Sequence, residues 1–252
     1  MALDSRGLVG LGGGYLADRL SHYIVLSDAE RVALEALESE ERHLRRGAVV
    51  LEEGKAAREL FIIRSGWVQS GILLGNGGRQ IMRISLPGDV LGLNSLAFDQ
   101  APETVKALTD VTVCPFDRDR VMDLIHAQPR LTGLLLAVII AERTALADRL
   151  ASVGRTPARA RIAWLLCDIF SRLRITDPGQ DEILVPLTQE EIGDATGLTS
   201  VHVNRMMRGL ADDGIIERRG NVIRLLAEDR LFHEANFTNR LNLATSWLPE
   251  PV

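Results

Sequence analysis

The stretch Leu187-Thr188-Gln189-Glu190-Glu191-Ile192-Gly193-Asp194-Ala195-Thr196-Gly197-Leu198-Thr199-Ser200-Val201-His202-Val203-Asn204-Arg205-Met206-Met207-Arg208-Gly209-Leu210 decides how the chain is read. Thr188 and Glu191 have the spacing of a capping box, in which a hydroxyl and a carboxylate satisfy amides left free at a helix start. That helix is short, because Gly197-Leu198-Thr199 interrupts it. In the helix that follows, Val203, Met206, Met207 and Leu210 fall at i, i+3, i+4 and i+7 and so share its inner face. Ser200, Val201, His202, Asn204, Arg205 and Arg208 are left on the outer face. Two short helices joined by a glycine-containing turn, the second with a polar and basic outer face, read as a helix-turn-helix. Charge separates them: residues 189–198 hold Glu190, Glu191 and Asp194 and no base, whereas residues 199–211 hold Arg205 and Arg208 before any acid. A hairpin follows, Ile215–Arg218 and Val222–Leu225 about Arg219-Gly220-Asn221, and Arg218 and Arg219 sit where a wing touches phosphate.

Upstream, Ala158–Leu173 has helical spacing, and Gly154-Arg155-Thr156-Pro157 before it reads as a hinge, because proline disfavours the helical conformation of its predecessor. Leu131–Val153 reads as one long helix with two apolar stripes. One stripe is Leu131, Leu134, Val138, Ala141 and Ala145; the other is Leu135, Ile139, Leu146, Leu150 and Val153. A surface helix of a monomer needs one stripe. Two imply a second partner, most simply the same helix of another subunit, with Leu131, Leu134, Val138, Ala141 and Ala145 expected at that interface. The alternative is a helix buried within one subunit. Further upstream the pattern is short β-type runs, Val49–Leu51, Leu60–Ile63, Trp67–Leu74, Gln80–Leu86 and Thr109–Phe116, punctuated by glycines at hairpin intervals. That pattern points to a small antiparallel barrel or roll. A helical pattern begins near Ile24, and residues 1–20, with Gly10, Gly12, Gly13 and Gly14, read as a loosely held arm.

The 252 residues are 46% hydrophobic and 25% charged, with a net charge of −5, which excludes a globally basic nucleic-acid coat but not a local basic surface. Cys114 and Cys167 cannot form a disulfide framework or a multi-cysteine metal site unaided. The N-terminus lacks the pattern of a secretory signal, and the longest apolar run, Leu134–Ala141, is too short to cross a bilayer. The expectation is therefore a cytoplasmic protein with no membrane partner. No nucleophile elbow, metal-binding helix or phosphate loop is present, which argues against an enzyme.

The string Leu187-Thr188-x-x-Glu191-Ile192-Gly193-x-x-x-Gly197-Leu198-Thr199-x-x-x-Val203-x-Arg205 resembles the helix-turn-helix of the cyclic-AMP receptor protein / fumarate-nitrate regulator (Crp–Fnr) superfamily of bacterial transcription regulators. Glu59–Gly66 and Leu86–Leu93 resemble that family's β-roll, and the two-striped helix resembles its dimerisation helix. The resemblance implies an α+β fold. Its parts would be an N-terminal arm at 1–20, an antiparallel β-roll (a cyclic-nucleotide-binding-like jelly roll) at 21–128, a dimerisation helix at 129–154, a winged helix-turn-helix at 155–226 and a C-terminal extension at 227–252. It also implies a homodimer on a palindromic operator, with half-sites about 34 Å apart, and RNA polymerase as a further partner. Thr199, Ser200, Val201, His202, Asn204, Arg205, Arg208, Arg218 and Arg219 would carry DNA binding. Arg205 would read guanine, and Val201, where the family commonly has a glutamate, would meet a thymine methyl. The competing reading is a ligand-binding regulatory module that has lost DNA binding.

Departures bear on the effector. The family's ribose-binding Phe-Gly-Glu string is Leu91-Gly92-Leu93 here, and no Lys or Arg lies between Arg83 and Lys106 to receive a phosphate. Uncompensated burial of a phosphate is strongly disfavoured, so cyclic-AMP dependence is not expected. Cys114 lies near one iron–sulfur ligand position, but the arm has no cysteines and one thiolate cannot hold a cluster. Nothing in the spacing of His22, His43 and His126 favours haem. No metal or other cofactor is expected, and haem or a small, less anionic effector of the roll stays the open alternative.

Overall fold

The computed structural model of the chain describes residues 15–250; the glycine string at 10–14 lies outside them. Helices α1 (Tyr15–Leu20) and α2 (Asp28–Ala36) come first. Ser27 and Glu30 form a capping box that starts α2. Leu16, Ala17 and Leu20 are buried, so residues 15–20 of the expected arm form a packed helix. Their i, i+1, i+4 spacing places all three against the outside of the roll.

Eight strands follow: β1 (Arg42–Leu44), β2 (Val49–Leu51), β3 (Glu59–Ser65), β4 (Val68–Leu73), β5 (Arg79–Ser85), β6 (Val90–Leu91), β7 (Thr104–Ala107) and β8 (Val111–Asp117). They make two antiparallel four-stranded sheets, ordered β1-β8-β3-β6 and β2-β7-β4-β5. Successive side chains of a strand point to opposite faces. On β3, Phe61 and Ile63 therefore enter the roll with Val68, Val105 and Val113, while Ile62 faces the helices and meets Leu16, Leu34, Leu131 and Leu134. Both faces of β3 are buried, which is why it reads as a continuous apolar run. Gly66 turns β3 into β4 at φ +86°, and a Cβ there would lie 2.4 Å from Asp110 O, so no other residue fits.

Helices α3 (Arg118–Ala127) and α4 (Pro129–Arg155) close the roll, and Thr156-Pro157 adopts extended backbone before α5 (Ala158–Leu173). The remainder is β9 (Glu182–Leu184), α6 (Gln189–Thr196), α7 (Ser200–Asp212), β10 (Ile216–Arg219), β11 (Val222–Leu225) and α8 (Glu228–Ala235). Ile162, Leu166, Phe170, Val203, Met207 and Leu210 form the core of this unit, joined by Ile81, Ile84 and Leu108 from the roll. Leu231 and Ala235 of α8 are buried in the same core, so α8 packs as part of the winged unit although it lies beyond residue 226. The tail then returns along α4. Phe237 packs edge-on against Trp164 at 5.6 Å, and Arg240 pairs with Asp148 at 2.8 Å. Leu248 covers Gly133 so closely that a Cβ there would sit 2.8 Å from its Cδ2. No single helix among the described residues is long and apolar enough to cross a membrane; α3 and α4 meet both conditions only together, as a pair bent by 119°.

The two stripes of α4 are not separated as the spacing suggested: Leu135 packs inward beside Leu131 and Leu134, while Ala141 and Ala145 are half-buried. Leu131 and Leu134 are fully buried within the protomer, and Val138 packs partly against the same cluster. Leu136, Ile139, Ile140, Leu146 and Leu150 are exposed. Both stripes are apolar, so spacing alone does not say which one docks; the roll end and α1 make that choice by covering the face of Leu131 and Leu134.

A buried ion cluster pins α1, β5 and α5 together. Asp89, 3% exposed, lies 2.8 Å from Arg19 and 3.4 Å from both Arg83 and Arg172, and it accepts the Leu86 N–H at 2.9 Å. Burial pushes its pKa up, but the three guanidiniums and the amide overcome this and hold it at about 2. A carboxylate depressed below its unfolded value stabilises the fold above about pH 4 and loses that contribution as pH falls towards 2. The contribution is about 2 kcal/mol. Thermal midpoints measured from pH 5 to pH 2 should therefore fall less steeply in Asp89→Asn than in the parent. Equal slopes would assign the acid sensitivity to other groups.

Candidate nucleic-acid interface

Helix α6 starts on the expected capping box: the Thr188 hydroxyl accepts from the Glu191 N–H at 3.1 Å, and the Glu191 carboxylate accepts from the Thr188 N–H at 2.8 Å. It ends at Gly197, in the left-handed region at φ +67°. Gly193 matters for a different reason, since a Cβ on it would lie 2.4 Å from Leu198 O and force the turn open. Thr199 then caps α7, accepting from the His202 N–H at 3.4 Å. Val203, Met207 and Leu210 are buried and Met206 is half-buried, which fixes the rotation of α7. Ser200, Val201, His202, Asn204, Arg205 and Arg208 consequently lie exposed, Val201 to 75%.

The side chains of Arg205 and Arg208 make no hydrogen bond or ion pair to other described residues. The wing is built as a three-stranded sheet, β10-β11-β9, with Gly220-Asn221 at its tip. Arg218 donates to Asn204 Oδ1 at 3.4 Å and to Gly220 O at 3.1 Å, so wing and α7 are tied to each other. Arg219 pairs with Glu217 at 2.6 Å on the exposed surface. Such an exposed pair is worth little and is readily exchanged for a phosphate.

The anchoring residues were not singled out in the sequence. Arg79 of the β4–β5 hairpin pairs with Asp194 at 2.7 Å, and Gln80 Nε2 donates to Asp194 O at 2.7 Å. Arg149 of α4 donates to Ile81 O and Ala195 O at 2.7 and 2.8 Å, and also to Met82 O. These contacts fix α6 against the roll and leave the outer side of α7 free. A usable signal exists: Glu142 and Arg149, seven residues apart, place charge on the helix face that Leu131, Leu134 and Val138 make apolar.

A cavity of about 510 Å³ lies where the roll meets α4 and α5. The loop Leu91-Gly92-Leu93 borders it, as do Pro102 and Glu103. Glu103 accepts from Asn94 Nδ2 at 3.1 Å, so this rim carries a carboxylate and no cation. Arg83 does enter the cavity from β5, a cation that reading the loop alone overlooked, but Glu142 takes it at 2.6 Å. Cys114 is fully buried on β8 opposite Ile62, and burial first of all raises its pKa to about 11, leaving it a neutral thiol. His22, His43 and His126 are exposed. Among the described residues no group of three or more His, Cys, Asp or Glu could hold a metal.

Residues 41–128 match the family model of the cyclic nucleotide-binding domain, and residues 160–233 match that of the Crp-like helix-turn-helix domain. Over 206 residues the chain is 30% identical to the probable transcriptional regulator flp of Lacticaseibacillus casei, an alignment covering 81% of this chain and 91% of that protein. This chain belongs to the Crp/Fnr family of transcriptional regulators. Another member, the CRP-like cAMP-activated global transcriptional regulator of Mycobacterium tuberculosis, is 30% identical over 192 residues, 75% of this chain and 85% of that one. The solved structure of FixK2 from Bradyrhizobium japonicum superposes with a TM-score of 0.71 at 27% identity, covering 79% of this chain and 98% of that one. As a Crp/Fnr regulator it is not an enzyme, and its roll, long helix and helix-turn-helix follow the family architecture.

Proposed function

We propose that this Crp/Fnr regulator is a cytoplasmic homodimer that reads a palindromic operator with α7, without cyclic AMP, and acts on transcription together with RNA polymerase. The observation that carries the reading is the set of exposed side chains on a helix held rigidly by its inner face, with Arg205 and Arg208 unpaired among the described residues. Arg205 reads guanine O6 and N7, Val201 contacts a thymine methyl, and Asn204 is a second base reader. Thr199, Ser200, His202, Arg208, Arg218 and Arg219 hold phosphates. Dimerisation uses the exposed apolar side of α4, Leu136, Ile139, Ile140, Leu146 and Leu150. The cavity rim offers Leu93 and Glu103 where a cyclic nucleotide needs a ribose acceptor and a phosphate-binding cation, and the Arg83 charge is already met by Glu142.

Binding-site selection followed by footprinting of the ligand-free protein tests this. Two protected half-sites about 34 Å apart are expected, together with no saturable heat on titration with millimolar cyclic AMP. Heat saturating in the micromolar range, with a matching gain in operator affinity, would overturn the independence from cyclic AMP. Failure to protect any selected or genomic fragment would favour a regulatory module that has lost DNA binding.

A further inference from the structure

Helix α4 has three sides, and the protomer covers two of them. Leu131, Leu134 and Val138 face the roll and α1. The returning tail takes the second side: Arg240 pairs with Asp148 towards the end of the helix, and Leu248 reaches the cluster of Leu131 and Leu134 at its start. The third side holds Leu136, Ile139, Ile140, Leu146 and Leu150, all exposed.

Trp247 stands on the border between the second and third sides. Residues 245–248 form a turn closed by the Leu248 N–H, which donates to Thr245 O at 3.1 Å. Leu248 packs inward from this turn, while Trp247 stays 57% exposed. A Cβ on Gly133 would lie 3.4 Å from Trp247 Cη2, so the indole rests against that glycine. Gly133, Leu136 and Ile140 fall at i, i+3 and i+7 and share one face of the helix. Trp247 Nε1 donates to Ala244 O at 2.9 Å, which satisfies the ring's one polar atom within the chain. What the indole offers outward is apolar, and it continues the exposed side of α4.

Area argues that something larger than one helix side is needed there. Five partly exposed aliphatic side chains offer a partner roughly 150–300 Å², well short of the ~800 Å² per partner that a specific interface covers. An indole at 57% exposure adds roughly 85–140 Å². Tryptophan is also enriched among the few residues that carry most of an interface's binding energy. We propose that Trp247 belongs to the homodimer seam, where the tail of each protomer widens the exposed side of α4 and meets a second copy of this chain. The proposal rests on the reading of α4 as the dimer helix and adds to it a contact from beyond residue 233, where the helix-turn-helix match ends. A two-fold pair with both recognition helices at one end has parallel long helices, so each turn of α4 faces its counterpart. Trp247, carried over Gly133, then lies against the first turns of the partner's helix. The tail starts on the winged unit, where Phe237 packs against Trp164 and Phe232, so segment 237–247 links the seam to the unit that reads DNA.

Sedimentation equilibrium of the full chain without DNA, over a range of concentrations, gives the dimer Kd of the parent, Trp247→Ala and Trp247→Phe. Trp247→Ala should weaken dimerisation at least about tenfold, and Trp247→Phe, which keeps a ring, should restore most of the loss. Iodide quenching at constant ionic strength reads the same contact without altering it, since Trp164 is buried and Trp67 half-buried. The quenchable emission that Trp247→Phe removes should be small in the dimer and large in a monomeric Leu150→Asp protein. Equal quenching in the two, or a Trp247→Ala protein that dimerises like the parent, would overturn the proposal and leave the α4 seam standing. A Leu150→Asp protein that stays dimeric would overturn both.

Discussion

Arg205→Ala is expected to cost the operator complex about 2–6 kcal/mol and to erase the preference for one base pair in each half-site. One bidentate contact from a guanidinium to guanine discriminates by about 1–3 kcal/mol, and a two-fold dimer makes the contact twice. The structure favours this residue because its neighbours Val203 and Met207 are buried, so α7 cannot roll to hide or re-aim the side chain. Arg218→Ala should behave differently. Its guanidinium is anchored to Asn204 and Gly220, the geometry of a positioned phosphate clamp, not of a base reader. The loss should therefore fall on all sequences alike, and the salt slope should drop by about one unit per protomer. Competition binding on operators altered one base pair at a time, repeated at several salt concentrations, separates the two behaviours. If both variants behaved identically, the division between base reader and phosphate clamp would be wrong.

Legibility followed the range of the interactions. Helices α6 and α7 could be read residue by residue because capping boxes, a left-handed glycine and i, i+3, i+4, i+7 burial are local, and Thr188, Glu191, Gly197 and Val203 sit where each device needs them. The strongly apolar strand β3 was legible for the same reason. β7, Thr-Val-Lys-Ala, was missed although it alternates, with Val105 and Ala107 buried, because four residues are the shortest run in which a period of two can be read. β9 was missed because only Ile183 of its three residues is buried, and its place in the wing comes from pairing with β11.

Contacts between distant segments left weaker traces. Asp89 with Arg19, Arg83 and Arg172 spans three elements, and each residue alone reads as an ordinary surface charge. Gly133, a residue that weakens a helix by roughly 1 kcal/mol, makes sense only once Leu248 is seen to lie over it. The cavity rim shows the gain from structure most clearly. The missing ribose acceptor at Leu93 was visible in the sequence, whereas the presence of Arg83 inside and its neutralisation by Glu142 were not.

Leu150→Asp is expected to give a folded monomer whose operator affinity has dropped by about 10²–10⁴. Leu150 is 74% exposed in the protomer, so the substitution buries no charge and should leave the fold intact. In a two-fold dimer built on the outer side of α4 the same change appears on both helices and sets two carboxylates in a dry seam, where an unpaired charge is costly. The seam offers no cation to receive them apart from Arg143, which lies two turns earlier on the exposed side. Once the dimer is lost, the two recognition helices bind their half-sites independently, and the effective-concentration advantage disappears. Leu134→Asp is not an equivalent test, because Leu134 is fully buried and its loss would unfold the protomer. Val32→Asp is the proper control: Val32 on α2 is 65% exposed and lies away from the seam, so mass and affinity should both be unchanged. Sedimentation equilibrium gives the mass and footprinting gives the affinity. A Leu150→Asp protein that stays dimeric and keeps its operator would place the subunit contact on another surface.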